Sequence, residues 1–192
     1  GEVNNFNQIE IICSTSNKCK AIQKGKILDE DELSSSIART IAEVEDIANI
    51  QVNSAYTTIP GKYITIVQNS IVKDAKDKLA GISIKDVASA IIQVRDIEVP
   101  EDKVLIDIVP DKFILEDGKA VDDPVGKFSS HFTLTAQIIL AEREYIRQLT
   151  SVFKKAGIEI DGVVPTSLAE RNLVLDTNEL TDNIMIIDMG AG

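Results

Sequence analysis

The sequence is poor in the residues from which most catalytic and metal sites are built. Its 192 residues include one histidine, two cysteines and no tryptophan. Cys13 and Cys19 do not form a Cys-x-x-Cys pair, and a single histidine cannot complete a zinc-binding set with them. We interpret them as reduced thiols, one of them in a buried strand. His131 has no nucleophile arranged around it in the sequence, so we predict no catalytic residue.

The chain also lacks clustered positive charge and long apolar segments. Its formal net charge is −11, whereas nucleic-acid binding requires clustered lysine and arginine. We therefore expect no nucleic-acid partner, and a surface that is either simply well solvated or attractive to a basic segment of another protein. No apolar run approaches the ~20 residues that span a bilayer, and the polar start does not resemble a signal peptide. A chain that starts at Gly1 is expected to be a piece of a longer protein.

What the sequence has in abundance is aliphatic residues, which favour strands. Hydrophobic residues make up 44% of the chain but aromatic residues only 4%, so the core must be largely aliphatic. Both ends of the chain alternate predicted strands and helices, which is typical of an α/β layer. One helix is predicted to begin after Asp29 and to end at Asn49, and another begins near Ala141 with an apolar stripe of Tyr145, Leu149 and Val152.

The middle of the chain reads as a smaller α+β unit in the order strand, helix, strand, strand, strand. A first strand is predicted over Lys62–Val67, with a turn at Asn69-Ser70 after it. A helix capped by Ser83 carries a stripe that includes Ile84, and Pro100 is expected to end it.

Two further strands are predicted over Val104–Val109 and Lys112–Glu116, separated by a break at Pro110 because proline cannot donate to a ladder. Asp117-Gly118 suits a tight turn. The longest strand signal runs from Phe132 to Leu140, with one apolar face and one polar face.

An acidic run surrounds this central hairpin and carries the first functional hypothesis. We predict a protein-binding face there, with a solvated turn as the plainer alternative. Acid–base catalysis would require carboxylates that converge on a cleft, which the sequence does not indicate. The candidate interface residues are Asp107, Asp111, Lys112, Glu116, Asp117, Asp122 and Asp123.

The end of the chain carries the one candidate for a phosphate-binding loop. Asp188 follows a predicted buried strand, Asn183–Asp188, and precedes Gly190 and Gly192. A carboxylate at the end of a strand can hold Mg²⁺ through water, and glycines let backbone amides approach a phosphate. We therefore assign Asp188, Gly190 and Gly192 as candidate cofactor-binding residues, with Asp188 as the candidate magnesium residue.

Several segments together resemble the FtsA family of actin-like bacterial cell division proteins. The central part is similar to the family's strand ending in Ile-Pro, then an aromatic strand, an acidic turn and Asp-Pro-Val-Gly. Gly61-Lys62-Tyr63-Ile64 resembles its Gly-x-His-Ile, and Ile187-Asp188-Met189-Gly190 resembles its second phosphate loop, although Ala191 stands where the family has glycine. The matching segments are Ile108-Val109-Pro110, Phe113-Ile114, Asp117-Gly118, Asp123-Pro124-Val125-Gly126 and Lys155-Ala156-Gly157-Ile158-Glu159-Ile160-Asp161.

The resemblance implies an α/β fold in which part of an actin-like, ribonuclease H-like lobe is interrupted by a strand-helix-strand-strand insertion. We place the partial first lobe at residues 1–61 and 142–192, and the insertion at residues 62–141. It also implies ATP and Mg²⁺ as cofactors of the full-length protein. A piece with one incomplete loop is expected to bind no nucleotide usefully and to be inactive.

The resemblance further implies a scaffold role in cell division, with at most weak ATPase activity in the full-length protein. The implied partners are FtsZ through a second lobe, other division proteins through the insertion, and further copies of the chain in protofilaments. A C-terminal amphipathic helix would attach the protein to the cytoplasmic face of the membrane at the division site. Two alternatives stay open, namely an actin-like ATPase of the pilus-assembly type and an ATP-dependent small-molecule kinase of the same superfamily.

Overall fold

The computed structural model describes residues 2–3, 9–77, 80–174 and 185–187. The chain divides into two compact units. The inner unit is Tyr63–Arg143, and the outer unit comprises the residues before and after it.

Ten strands and four helices are assigned within the described residues. In chain order they are β1 Glu2–Val3, β2 Ile9–Glu10, β3 Ile22–Gln23, β4 Lys26–Ile27, α1 Glu30–Ala48, β5 Ser54–Ile59, β6 Ile64–Asp74, α2 Ile84–Val94, β7 Lys103–Leu115, β8 Ala120–Val121, β9 His131–Glu142, α3 Arg143–Lys155, β10 Glu159–Pro165 and α4 Thr166–Val174.

Helix α1 begins and ends where its sequence predicts. The carboxylate of Asp29 accepts hydrogen bonds from the amides of Asp31 and Glu32, both at 2.9 Å. These bonds satisfy two of the amide donors that a helix N-terminus leaves free. Asn49 ends the helix in the left-handed conformation, with φ of 51°. The capping prediction for this helix is therefore confirmed.

The outer unit also contains a parallel pair of strands, β5 and β10. Gly162 of β10 stands so close to the ring of Tyr56 that a Cβ there would lie 2.7 Å from it, so a larger residue would require the exposed ring to move. Helix α3 buries Tyr145, Leu149 and Val152, as its apolar stripe predicts.

The inner unit is a four-stranded antiparallel sheet in the order β6-β9-β7-β8. Strand β9 lies between β6 and β7, which therefore run parallel to each other without pairing. The chain order is strand β6, helix α2, strand β7, the two-residue strand β8 and strand β9, so the predicted strand-helix-strand-strand order is present in the three long strands and the helix.

Helix α2 covers one face of this sheet and forms the core of the inner unit. Ala90 and Val94 of the helix are fully buried with Phe132, Leu134 and Ala136 of β9. Phe113 of β7 packs against Phe132, with ring centroids 6.0 Å apart. At about 25 cal/mol for each Å² of apolar surface removed from water, this aliphatic layer is the main stabilising contribution to the unit.

Two predicted interruptions of the sheet are wrong. Asn69 and Ser70 do not turn the chain but continue β6 opposite Ala136 and Thr135. The side-chain amide of Asn69 donates to the carbonyl oxygen of Val94, so a residue type common in turns is satisfied from within the strand. Pro110 likewise does not separate two strands. It lies within β7, and a register shift between Pro110 and Lys112 accommodates it.

Helix α2 begins after Ser83, as predicted, but its end and its apolar stripe differ from the prediction. It ends at Val94, well before Pro100, and Ile84 is 72% exposed. The buried side of the helix includes Asp86 in place of Ile84, because Asp86 closes a capping box with Ser83. Cys13 is not in a buried strand either, since strand β2 ends at Glu10 and Cys13 is only partly buried.

Candidate protein-interaction surface

A tight hairpin turn joins β7 to β8 and presents two of the predicted acidic residues. The amide of Gly118 donates to the carbonyl of Leu115 at 2.9 Å, and the amide of Leu115 donates to the carbonyl of Lys119 at 2.9 Å. The carboxylate of Asp117 accepts from the amide of Lys119 at 3.0 Å, and Gly118 takes a φ of 82°. Glycine tolerates this left-handed conformation, so the turn is well defined in shape.

Glu116 joins the turn to the start of β9. Its carboxylate accepts from the amide of Ser130 at 3.0 Å and from the hydroxyl of Ser130. Its own amide donates to the hydroxyl of Ser129 at 3.1 Å, which in turn donates to the carbonyl of His131. Glu116 therefore contributes to the structure of the turn, and its carboxylate is not a free recognition group.

The Asp-Pro-Val-Gly loop is attached to the segment that leads into α2. The amide of Gly126 donates to the carbonyl of Ile82 at 2.8 Å, and the amide of Ile82 donates to the carbonyl of Lys127 at 2.9 Å. Pro124 is fully buried, and the carboxylate of Asp123 accepts from the amide of Val125 at 2.9 Å. These contacts anchor the loop, and the bond to Val125 fixes the carboxylate of Asp123 at the surface.

Asp86 stabilises the segment at the start of α2 through hydrogen bonds to Ser83. Its carboxylate is 1% exposed and accepts from the amide and the hydroxyl of Ser83, at 3.0 and 2.6 Å. The Ser83 hydroxyl, followed by the Ser83 amide, holds the pKa of Asp86 below its usual value. Asp86 is therefore a buried anion that fixes the start of α2 next to the loop.

The structure exposes all seven predicted interface residues but does not gather them into one cluster. Asp107 and the last residue of β7, Leu115, are eight positions apart along the strand, which corresponds to roughly 26 Å at about 3.3 Å per residue, and Glu116 follows Leu115. The carboxylate of Asp107 accepts from the amide of Ile108, at a register shift opposite Ile139. Asp107 thus lies apart from the other acidic residues.

The remaining acidic residues group around the hairpin. Phe113 pairs with Val121, so the residue after Val121, Asp122, emerges at the level of Lys112. Asp111 lies in the register shift that follows Pro110. The surface therefore carries more negative than positive charge, although Lys119 and Lys127 are exposed in the same segments. We refer to Asp111, Lys112, Asp117, Asp122 and Asp123 as the acidic strip.

Two exposed apolar residues in the neighbouring loop were not predicted as interface residues. Phe128 is 75% exposed and Val125 is 37% exposed, both in the loop between β8 and β9. A large exposed aromatic residue next to a rigid turn is a common anchor at protein interfaces. The sequence signal was weak, because one phenylalanine in a loop has no periodicity to classify it.

The candidate phosphate-binding residues Asp188, Gly190 and Gly192 lie outside the described residues. Part of the strand predicted before them is described, and it is not a strand. Met185 and Ile187 are 82% and 70% exposed and have no partner strand in the part of the chain that the structure describes. An apolar run requires a neighbouring strand to pair with, and none is described here.

The described residues contain no group of three or more histidine, cysteine, aspartate or glutamate side chains that could hold a metal ion. Over the same residues, no helix is both long and apolar enough to span a bilayer.

Comparison with known proteins relates the inner unit to one family. Residues 61–140 match the family described as "SHS2 domain inserted in FTSA". The match and the inner unit, Tyr63–Arg143, have nearly the same limits.

The chain as a whole is similar to curated proteins named cell division protein FtsA. The one from Bacillus subtilis is 24% identical over 90% of this chain and 39% of its own length. Those from Buchnera aphidicola (subspecies Schizaphis graminum) and Borreliella burgdorferi are 24% identical over all of this chain and 46% of their own length. The chain thus spans less than half the length of these relatives.

Among solved structures, a chain of the PilM-PilN type IV pilus biogenesis complex has a similar fold. The alignment has a TM-score of 0.50 and 14% sequence identity, and it covers 82% of this chain and 40% of that one. At this identity the likeness concerns the fold alone. It supports a mixed α/β architecture.

Proposed function

Since the chain is FtsA-like and carries the SHS2 domain that is found inserted in FtsA, we propose that it serves as a scaffold in bacterial cell division. In this proposal the inner unit is a module for binding other proteins. One observation carries it, namely that the residues matching the SHS2 family form a compact unit of their own with an exposed acidic strip.

The geometry of the acidic strip favours a basic partner segment. Asp117 and Asp123 are fixed by hydrogen bonds to backbone amides, at 3.0 and 2.9 Å, so little side-chain freedom is lost when a partner binds. Complementary charge steers a partner and selects it more than it adds affinity. The exposed ring of Phe128 supplies an apolar contact beside the charges. The partner proposed for this face is another division protein or a further copy of the chain in a protofilament.

The test is charge reversal at positions that do not support the fold. Asp111→Lys with Asp122→Lys changes two exposed residues of the strip, whereas Glu116 is avoided because it holds Ser130. Asp96→Lys with Glu98→Lys is the matched control, with the same change of charge at exposed residues after α2. We expect the strip variant of the intact protein to lose filament formation or capture of division proteins.

The control variant should behave as the unmodified protein in the same sedimentation and pull-down assays. If the strip variant and the control retain both properties equally, the strip is a solvated surface and the binding proposal is wrong. If both lose them equally, the effect is one of total charge and the strip has no special role.

For the full-length protein we propose ATP and Mg²⁺ as cofactors, with Asp188, Gly190 and Gly192 in one of the phosphate loops. We further propose a link to FtsZ and attachment to the cytoplasmic face of the membrane through parts of the protein beyond these residues. Residues 1–192 alone are expected to bind MgATP weakly at most. A micromolar dissociation constant measured by calorimetry on these residues would contradict that expectation.

A further inference from the structure

Strand β6 is an edge strand of unusual length and composition. It has eleven residues and pairs with β9 on one side, and no described strand pairs with its other side. Natural proteins usually protect such an edge with charged residues, proline or a short strand. Between Ile64 and Val72 this strand contains none of these, and its first charged residue is Lys73.

The backbone register shows which groups face the open edge. The amide of Ala75 donates to the carbonyl of Ser130 at 3.0 Å, and the pairing of β6 with β9 continues without a shift from there. Hydrogen-bonded pairs alternate along an antiparallel ladder. The odd-numbered residues of β6 therefore bond to β9, and Ile66, Gln68, Ser70 and Val72 direct their amides and carbonyls away from it.

The same four residues have exposed side chains on the sheet face opposite α2. Ile71 packs into the core under α2, and Asn69 bonds to the carbonyl of Val94 in that helix. Since side chains alternate along a strand, the even-numbered residues lie on the other face. Ile66 and Val72 are 59% and 65% exposed there, so two large apolar side chains flank the polar pair Gln68 and Ser70.

The sequence of β6 is complementary to itself about Asn69. From Ile66 to Val72 it reads Ile-Val-Gln-Asn-Ser-Ile-Val, with two apolar residues on each side of three polar ones. An antiparallel pair of such strands centred on Asn69 would place Ile66 opposite Val72 and Gln68 opposite Ser70. Val67 would face Ile71, Thr65 would face Lys73, and Ile64 would face Asp74 at the two ends, so no like charges would meet.

Neighbouring registers do not have this property. Only shifts of the centre by whole residues keep even-numbered residues facing each other. A centre at Gln68 places Ile66 opposite Ser70, and a centre at Ser70 places Ile66 opposite Asp74. Both alternatives set the exposed Ile66 against a polar or charged residue, whereas the centre at Asn69 mismatches only the terminal pair, Ile64 and Asp74, and is therefore favoured.

We propose that β6 pairs with β6 of a second copy of this chain, in antiparallel register about Asn69, to form a continuous eight-stranded sheet across a two-fold axis. This pair is closed, because each copy uses the same surface, and it therefore differs from head-to-tail assembly into filaments. It does not depend on the acidic strip or on a role in division.

One contact within the single chain opposes this pairing and makes it reversible. The amide of Ser70, which points to the open edge, is held by the side-chain oxygen of Asn69 at 2.9 Å. On pairing, that amide exchanges this bond for the carbonyl of Gln68 in the second copy. A narrow interface with such an exchange is expected to be weak and dependent on concentration.

The experiment compares two double variants that differ at one position. Ile66→Lys with Val72→Lys sets two like-charged pairs across the two-fold axis, whereas Ile66→Lys with Val72→Glu sets two opposite-charged pairs. Both positions are exposed, and circular dichroism checks that both variants fold alike. Sedimentation equilibrium up to about 1 mM protein, within the range of weak association, measures the dimer dissociation constant.

We expect the unmodified chain and the Lys/Glu variant to dimerise, and the Lys/Lys variant to have a dissociation constant at least about tenfold higher than the Lys/Glu variant. Hydrogen exchange at the amides of Ile66, Gln68 and Val72 should slow as the concentration of the unmodified chain rises. A monomeric chain up to the highest concentration, equal dissociation constants for the two variants, or exchange independent of concentration at these amides would overturn the proposal.

Discussion

The inner and outer units differ in the length and pairing of their strands. The inner unit has three strands of eleven to thirteen residues in one antiparallel sheet, with a helix over it and a buried cluster of its own. The described part of the outer unit has two-residue hairpin strands and one parallel pair, β5 and β10. Parallel sheets are normally covered on both faces, yet Tyr56 of β5 is 73% exposed. The comparison suggests that the inner unit is the more self-sufficient one.

The largest expected effect is the loss of stability when a core residue of one unit is truncated. Phe132→Ala removes a fully buried ring from the inner core and is expected to lower its free energy of unfolding by about 3–5 kcal/mol. Leu149→Ala, at a residue 5% exposed in α3, is the counterpart in the outer unit. Hydrogen exchange followed by mass spectrometry reports on each segment separately. Phe132→Ala should speed exchange in β7 and β9, and Leu149→Ala in α3. If either substitution speeds exchange equally in both units, the chain unfolds as one body.

A smaller effect concerns two carboxylates that begin helices, one in each unit. Asp86→Asn is expected to destabilise the inner unit by about 1–3 kcal/mol near neutral pH, because a buried charge-assisted acceptor for Ser83 is lost. Asp29→Asn in the outer unit should be nearly neutral, since asparagine caps helices about as well as aspartate. Urea unfolding of each variant measures the difference. Equal costs at the two positions would mean that burial of Asp86 is unimportant.

The lowered pKa of Asp86 predicts that the stability of the inner unit depends on pH. The pKa of Asp86 is lowered in the folded chain, so its stabilising contribution is present above the pKa of the unfolded chain, at about 4, and is lost as the pH falls through the folded value. The difference in stability between the unmodified chain and Asp86→Asn should therefore shrink on acidification below about pH 4. A difference that stays constant there would contradict the role of the ionised carboxylate.

The smallest expected effect compares two glycines with the same backbone conformation. Gly81 of the inner unit and Gly157 of the outer unit have φ of 82° and 81°. A Cβ at Gly157 would meet nothing within 4 Å, whereas one at Gly81 would lie 3.0 Å from the carbonyl oxygen of Lys127. Alanine should cost about 1 kcal/mol at Gly157 and about 2 kcal/mol at Gly81. Thermal unfolding of both variants tests this, and equal costs would show that the loop at Lys127 yields easily.

Local signals predicted helices and turns well where their partners are near in sequence. Asp29, Asn49 and the Asp117-Gly118 turn all act within five residues, so their effects can be inferred from sequence alone. The strand that became β9 was predicted from its alternation, whereas the order of the strands in the sheet, β6-β9-β7-β8, was not predicted.

Predictions failed where a distant partner decides the structure. Asn69 and Ser70 read as a turn, but the carbonyl of Val94 and the ladder to β9 keep them in a strand. Pro110 was predicted to break the strand. Strand β8, Ala120–Val121, pairs only with Phe113 and Ile114 of β7, so no described strand on that side requires an amide hydrogen from Pro110. The acidic run reads as one cluster, yet the length of β7 sets Asp107 apart. Asp86 was missed because burial of a carboxylate has no sequence signature of its own.

The position of β9 has a consequence for the synthesis of the chain. It is the last strand of the inner unit to be made, but it is the strand that joins β6 to β7. A nascent chain that ends at Leu115 has β6, α2 and β7 without the strand between them, so both long strands must wait with unpaired edges. The inner unit is thus expected to fold in one late step, after Glu142 has left the ribosome, and to need protection from aggregation until then.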